Sequence, residues 1–131
     1  MTKSTLMEKY PLLSLEIAKS NTECKNTTEV LEYFKNKIDT DAIAKYIATF
    51  NHYEHTQSLG EEGTVDSAIV DAQNIIFCFG KNLSNPLMLG VRPRSIAVVE
   101  YEDKFIVSFM EAPMAPMSEK MEMWVKQLAK D

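Results

Sequence analysis

The sequence has few of the residues that usually mark a metal, haem or nucleotide site. Its two cysteines, Cys24 and Cys78, lie far apart and form no metal-ligand or haem-attachment spacing, so we expect two free thiols, no metal and no cofactor. Only four glycines are present, and the one Gly-Lys pair, at residues 80–81, is not followed by the serine or threonine of a nucleotide-binding loop. The sequence therefore excludes the common cofactor and nucleotide signatures.

Positive charge and long apolar runs are also scarce. Lysine and arginine total 14 against 19 acidic residues, and the formal net charge is −5. A general binder of nucleic acid or of an anionic membrane surface carries the opposite balance. The sequence lacks an apolar stretch long enough to cross a bilayer and an N-terminal pattern typical of a secretion signal. We therefore expect a cytoplasmic protein that binds neither nucleic acid nor membrane.

The overall composition is that of an ordinary folded domain. Hydrophobic residues make up 45% of the 131 residues and charged residues 25%, which suffices for one sizeable core. We expect a single domain over residues 1–131. Residues 1–9 are mostly polar, and we expect them to be loosely ordered.

Local patterns predict a series of strands and one early helix. Residues 13–17 alternate apolar and polar side chains, which predicts a strand with one buried face. Asn26, with Glu29 three positions later, is typical of a helix start, and apolar residues at helical spacing follow it. Residues 43–56 are rich in β-branched and aromatic side chains and predict another strand. Residues 75–79 are apolar at every position, which predicts a strand inside the sheet and buried on both faces.

The last third of the chain predicts a hairpin and a helix. Residues 96–101 and 105–110 are strand-like, and the three residues between them allow only a tight antiparallel turn. Ser118 is predicted to cap a final helix that carries an apolar stripe. This order of elements favours an α+β fold, a two-layer sandwich in which a mostly antiparallel sheet of about five strands is covered by two helices.

The only two arginines of the chain form the most informative segment. Arg92 and Arg94 flank Pro93, which biases the backbone to an extended form in which alternate side chains project to the same side. Their two planar guanidinium groups are therefore expected to converge on one carboxylate or phosphate. The alternative is that each arginine pairs with an acid of this acidic protein, with Glu100 and Glu111 as the candidates.

The loop after the predicted central strand adds polar groups to this candidate site. Gly80 permits a close backbone approach to a ligand, and Lys81 and Asn85 follow it. Both histidines lie in the predicted strand at residues 43–56, where they would point to opposite faces, which disfavours a metal bound by both. No catalytic residue is assigned, and the candidate ligand-binding residues are Arg92, Arg94, Lys81, Asn85, His52, His55 and Glu111.

A cluster of methionines precedes and enters the predicted final helix. Five of the eight methionines lie between Met110 and Met123. Thioethers bind Cu(I) and line haem pockets, but Met117 and Met121 share the apolar helical stripe. We therefore interpret the cluster as flexible core filling.

Five sequence blocks, at residues 10–12, 51–56, 77–81, 92–96 and 108–113, resemble a family of small, uncharacterised bacterial proteins. That family carries only a domain-of-unknown-function label, so the resemblance implies no activity. The Asn85-Pro86 pair, which follows a buried strand and precedes a hairpin, is also similar to the 302nd group of the unknown-function series, an α+β group that tends to form dimers. The first resemblance covers about residues 10–128.

These observations leave three hypotheses for function. The first is binding of a small anionic metabolite, or of an acidic group of a partner, at the candidate residues given above. The second is a small enzyme that uses His52 or His55 as acid or base, with Glu111 orienting it. The third is a structural or adaptor homodimer without a ligand site, formed through a sheet edge or the methionine-rich helix.

Overall fold

An antiparallel sheet organises the chain. The computed structural model describes residues 1–130, and within that range the sheet has six strands in the order β1-β2-β6-β5-β4-β3. The strands are β1 Thr2–Leu6, β2 Tyr10–Ala18, β3 Lys45–Asn51, β4 Asp71–Cys78, β5 Arg94–Glu100 and β6 Lys104–Met110. The α-helices of the same range are α1 Thr27–Thr40, α2 His52–Ser58 and α3 Ala115–Lys126. The expected α+β sandwich is confirmed, with one strand more than expected.

The core lies between the sheet and two of the helices, α1 and α3. Every neighbouring pair of strands is antiparallel, and β5 and β6 form the predicted hairpin. None of the helices within residues 1–130 is both long and apolar enough to span a membrane. The largest fully buried side chains include Phe34, Ile38, Ile75, Phe77, Ile96 and Phe105.

β4 lies inside the sheet, as its apolar run predicts. It pairs with β3 on one side and with β5 on the other. Ile75 and Phe77 face the helices and are fully buried, whereas Ile76 and Cys78 face the other way and are half-buried. The prediction that both faces of this strand are buried is therefore wrong, because the two large helices cover only one side of the sheet.

α1 begins as its sequence predicts. The Asn26 side chain accepts a hydrogen bond from the Glu29 N–H at 2.9 Å, and the Glu29 carboxylate accepts one from the Lys25 N–H at 3.1 Å. These bonds satisfy backbone donors that a helix start would otherwise leave unpaired. The buried stripe of this helix contains Val30, Leu31, Phe34 and Ile38.

β1 lies in a segment for which the sequence predicts no strand. It pairs with β2 along its whole length, and all five of its residues are exposed. An edge strand without a buried face has no apolar alternation for a sequence pattern to show. Met7 and Glu8 turn the chain with positive φ angles of 54° and 60°, a conformation that glycine more often provides. Neither the strand nor its turn therefore has a recognisable local signal.

The segment that carries both histidines is helical, so its prediction as part of a strand is wrong. β3 ends at Asn51, and α2 begins at His52. The Asn51 side chain accepts a hydrogen bond from the Glu54 N–H at 2.9 Å, which is the same Asn-x-x-Glu arrangement that opens α1. Aromatic and β-branched content favours a strand here, but the capping side chain outweighs that preference. His52 and His55 consequently lie one turn apart on the same side of a short helix.

α3 begins at Ala115, after an N-cap at Met114 that lies four residues before the predicted one, so Ser118 is not its cap. Pro116 occupies the first turn, where its missing N–H leaves no helical hydrogen bond unmade. Ser118 lies inside the helix and is buried, and its hydroxyl accepts a hydrogen bond from the Ala112 N–H at 2.7 Å. The predicted apolar stripe is confirmed, and its buried members are Met121, Trp124, Val125 and Leu128.

A buried carboxylate joins the end of β5 to the start of α1. Glu100 is 6% exposed and accepts hydrogen bonds from the Lys19 ammonium at 2.7 Å, from the Thr27 N–H at 2.8 Å and from the Thr27 hydroxyl at 2.9 Å. Burial by itself raises the pKa of this carboxyl group, but the hydrogen bonds from Lys19 and Thr27 outweigh it and hold the pKa below its usual value. The carboxylate is therefore stabilised in its charged form.

Replacing this carboxylate should destabilise the fold. The change Glu100→Gln leaves the Lys19 ammonium without its counter-charge, and we expect the free energy of unfolding to fall by about 3 kcal/mol at neutral pH. Because the folded pKa of Glu100 lies below the unfolded value, its contribution is complete above about pH 4.3 and is lost as the pH falls through the folded pKa. Urea unfolding of both proteins at several pH values measures this difference.

The control is Glu16→Gln, which breaks the exposed pair between Glu16 and Lys104. This change should cost no more than about 1 kcal/mol. Equal losses in the two variants would contradict a structural role for Glu100.

Removal of the Ser118 hydroxyl should also lower the stability of the fold measurably. The change Ser118→Ala leaves the buried Ala112 N–H unpaired, and we expect the free energy of unfolding to fall by about 1 to 3 kcal/mol. The control Ser58→Ala removes a hydroxyl that donates to the His55 carbonyl on the surface. A loss at Ser118 no larger than the loss at Ser58 would show that the Ala112 N–H does not depend on this bond.

Candidate functional site

A pocket of about 110 Å³ opens at one end of the sheet, where β4 ends and where β5 and α3 begin. Its polar wall consists of Lys81, Asn82, Arg92 and Arg94, and no acidic residue within 1–130 lines it. We refer to it as the arginine pocket. Its apolar wall includes Phe79, Met88, Val91, Ala112, Met114 and Met117.

Two local features shape the loop between β4 and β5. Gly80, two residues after the end of β4, has a positive φ of 54°, and a Cβ added there would meet nothing closer than the Cys78 Sγ at 3.4 Å. Glycine is therefore required here by the backbone conformation. It is not required by the close backbone approach that the sequence suggests. The Asn85 side chain accepts a hydrogen bond from the Leu87 N–H at 2.9 Å and starts the 3₁₀ turn Pro86–Val91. That turn forms one wall of the arginine pocket.

Arg94 is a buried cation at the inner end of the pocket. It is the first residue of β5, faces the core side of the sheet and is only 9% exposed. Its Nη2 donates to the Met110 carbonyl and its Nη1 donates to the Val91 carbonyl at 3.3 Å, while its buried Nε has no hydrogen-bond partner within residues 1–130. Burial lowers the pKa of the Arg94 guanidinium from its usual value, but a group that titrates so high in water remains charged.

Arg92 lies beside it and is half-buried. The Arg92 Nη2 donates to the Asn82 carbonyl at 2.6 Å, across the loop between β4 and β5. Its backbone is extended, with φ of −117° and ψ of 151°, as the following Pro93 predicts, and the peptide bond between the two residues is cis. Both guanidinium groups line the same pocket.

Neither arginine has a carboxylate partner in the part of the chain that the structure describes. The alternative that Glu100 and Glu111 neutralise them is wrong. Glu100 pairs with Lys19 at 2.7 Å, and Glu111 pairs with Lys3 at 3.3 Å. The pocket therefore contains positive charge that the described chain does not balance by direct contact.

The two histidines lie at the other end of the sheet. Asn51, just before α2, pairs with Gln73 near the start of β4, whereas the arginine pocket lies beyond the end of that strand. At about 3.3 Å per residue the separation along β4 is about 20 Å. The ring of Phe50 contacts His52 and His55, with ring centres 4.7 and 5.5 Å apart. Within residues 1–130 no group of three histidine, cysteine or acidic side chains could hold a metal ion.

Of the seven candidate ligand-binding residues, the structure brings three to the arginine pocket. They are Arg92, Arg94 and Lys81. Asn85 caps the adjoining 3₁₀ turn, and Glu111 faces Lys3, so neither lines the pocket. Glu111 also follows the end of β6, at the opposite end of the sheet from α2, and therefore does not orient either histidine.

The apolar wall is the part of the site that the sequence did not predict. Met121 is fully buried, as core filling predicts, but Met114 and Met117 line the arginine pocket. The position of these two methionines could have indicated this role. They lie where the chain leaves β6 and enters α3, at the same end of the sheet as the arginines. The loop between β4 and β5 also leaves three leucines strongly exposed near this pocket, namely Leu83, Leu87 and Leu89 at 74%, 79% and 60%.

Comparison with known proteins gives a family without an assigned activity. Neither a search of curated proteins nor a search of solved structures gives a significant match. A model of a family of unknown function, DUF6858, matches residues 1–130. This confirms the resemblance to an uncharacterised family, whereas the bacterial source and the second, more distant similarity stay predictions. Because the match spans nearly the whole sequence, the chain belongs to the family of unknown function DUF6858.

Proposed function

We propose that the protein binds a small anionic ligand in the arginine pocket. The observation that carries this proposal is the buried Arg94 guanidinium, which lacks a carboxylate partner in the described chain and whose buried Nε–H has no hydrogen-bond partner there. Arg92 and Lys81 add positive charge to the same pocket wall. An anion bound there would supply the missing counter-charge.

The energy of burial supports this proposal. Removing an ion from water costs several kcal/mol unless an opposite charge or good hydrogen bonds compensate it. The two carbonyl groups that Arg94 contacts compensate part of this cost, but they carry only partial charges. A carboxylate or phosphate in contact with Arg94 and Arg92 makes stronger, charge-assisted hydrogen bonds than a carbonyl does.

The two other hypotheses have less support. An enzyme that uses His52 or His55 with Glu111 would need these groups side by side, and they lie at opposite ends of the sheet. A homodimer through the methionine-rich helix would need a free apolar face, but the apolar stripe of α3 is buried in the core. Dimerisation through a sheet edge is a separate proposal that the pocket neither requires nor opposes.

The proposal predicts that the change Arg92→Gln weakens anion binding and leaves the fold nearly intact. Glutamine removes the charge and is too short to keep the bond to the Asn82 carbonyl. Because that bond is exposed, we expect stability to change by less than about 1 kcal/mol. Loss of one charge-assisted hydrogen bond should reduce affinity by about tenfold or more. Isothermal titration and thermal melts with acetate, succinate, hexanoate and phosphate, each against chloride at equal ionic strength, measure both effects.

The matched control is Lys45→Gln, which removes the charge of an exposed lysine at the start of β3. Its affinity for the same anions should equal that of the wild type. An anion present at 100 times its dissociation constant should raise the free energy of unfolding of the wild type by about 2.7 kcal/mol. If none of the four anions stabilises the wild type, or if both variants lose affinity equally, the proposal is wrong.

A further inference from the structure

We infer that the ligand of the arginine pocket is a short carboxylic acid with an apolar body of about five or six carbons. This inference rests on the proposed function, because it assigns a chemical class to the anion bound at the same site. The carboxylate would lie against Arg94 and Arg92, and the apolar body would lie against the methionines and Val91.

The apolar wall argues against a fully hydrophilic anion. Apart from the four polar side chains, the pocket is lined by aliphatic, aromatic and thioether groups, among them Phe79, Val91, Met114 and Met117. A hydrophilic ligand would gain no affinity from covering this surface. Burial of an apolar body, in contrast, raises affinity about fourfold per methylene group. Methionine side chains are flexible, so such a wall adapts to the shape of an alkyl or aryl group.

The size of the pocket limits the apolar body. Its volume is about 110 Å³. An engineered protein cavity of about 150 Å³ accommodates benzene, and sites for drug-sized ligands span roughly 300 to 1,000 Å³. The arginine pocket therefore suits a body of about six carbons or fewer and is too small to enclose a nucleotide.

The head group follows from the charge that the site can stabilise. A phosphate monoester carries about 1.5 to 2 negative charges at neutral pH, and its transfer from water costs more than that of a singly charged carboxylate. Arg94 already uses two N–H groups on backbone carbonyls, and Arg92 uses one on Asn82. The Arg94 Nε–H and the other unused N–H groups can contact both oxygens of one carboxylate.

Two series of ligands test the inference by isothermal titration of the full chain. In the first, the head group is fixed and the chain grows from acetate through butanoate to hexanoate. We expect affinity to rise at least tenfold across this series, from about fourfold for each fully buried methylene. In the second, the total of six carbons is fixed, and the head group changes from carboxylate to alcohol, amine and phosphate. Hexanoate should bind most tightly, and hexanol and hexylamine should not compete with it.

A matched pair of methionine variants tests the apolar wall. Met114 lines the pocket and directly precedes α3, and Met123 is a similarly exposed methionine of α3 outside the pocket. Serine is a preferred residue at the position before a helix, so Met114→Ser should fold at least as stably as the wild type. We expect it to reduce the preference for hexanoate over acetate by at least about threefold, because it removes apolar contact area. The loss of affinity should be larger for hexanoate than for acetate, and Met123→Ser should change neither affinity.

The possible outcomes separate this inference from the proposed function. If acetate or inorganic phosphate binds as tightly as hexanoate, the inference is overturned while anion binding stands. If hexyl phosphate binds more tightly than hexanoate, the choice of a carboxylate is overturned. If hexanol binds as well as hexanoate, or if no anion binds at all, both proposals fail.

Discussion

The inward face of β5 begins and ends with a charge, and the rest of the structure depends on how each charge is accommodated. Side chains alternate along a strand, so Arg94 and Glu100 face inward together with the core residues Ile96 and Val98. Glu100 meets an ammonium, an N–H and a hydroxyl at the start of α1. Arg94 meets only carbonyl oxygens at the other end of the strand. Within the described chain, the charge of Glu100 is therefore balanced by an opposite charge, and the charge of Arg94 is not.

The topology explains why the pocket opens at the end of β5 where the charge of Arg94 is not balanced. In an antiparallel sheet, successive connections lie at alternate ends, so the loop from β4 to β5 and the segment from β6 to α3 meet at the same end. Both of these connections are longer than the turn between β5 and β6. The 3₁₀ turn Pro86–Val91 and the start of α3 both line the pocket that contains Arg94. The pocket thus results from the order of the strands and from the position of one inward-facing arginine.

Much of the fold is predictable because several elements have local signals. The start of α1 follows from Asn26, and the hairpin of β5 and β6 follows from the short polar turn between two apolar runs. β1 has no such signal, because every one of its residues faces solvent. α2 has the same capping signal as α1, at Asn51, but the aromatic and β-branched residues around it favour a strand. For the site, the rarity of arginine indicated the charged groups, whereas the pairing of Glu100 and Glu111 with other cations depends on tertiary contacts that no local pattern specifies.

The acidic character of the whole chain and the positive charge of the pocket act over different distances. Exposed charges are screened beyond about 8 Å at physiological ionic strength, so the net charge of −5 has little influence on an ion already in contact with Arg94. A long polyanion would extend over the acidic surface as well as the pocket and would be repelled there. A small anion interacts only with the pocket, where low solvent exposure strengthens each hydrogen bond to a guanidinium group. The charge distribution therefore favours a single small anion over an extended one, and the apolar wall of methionines favours one whose charge is confined to one end.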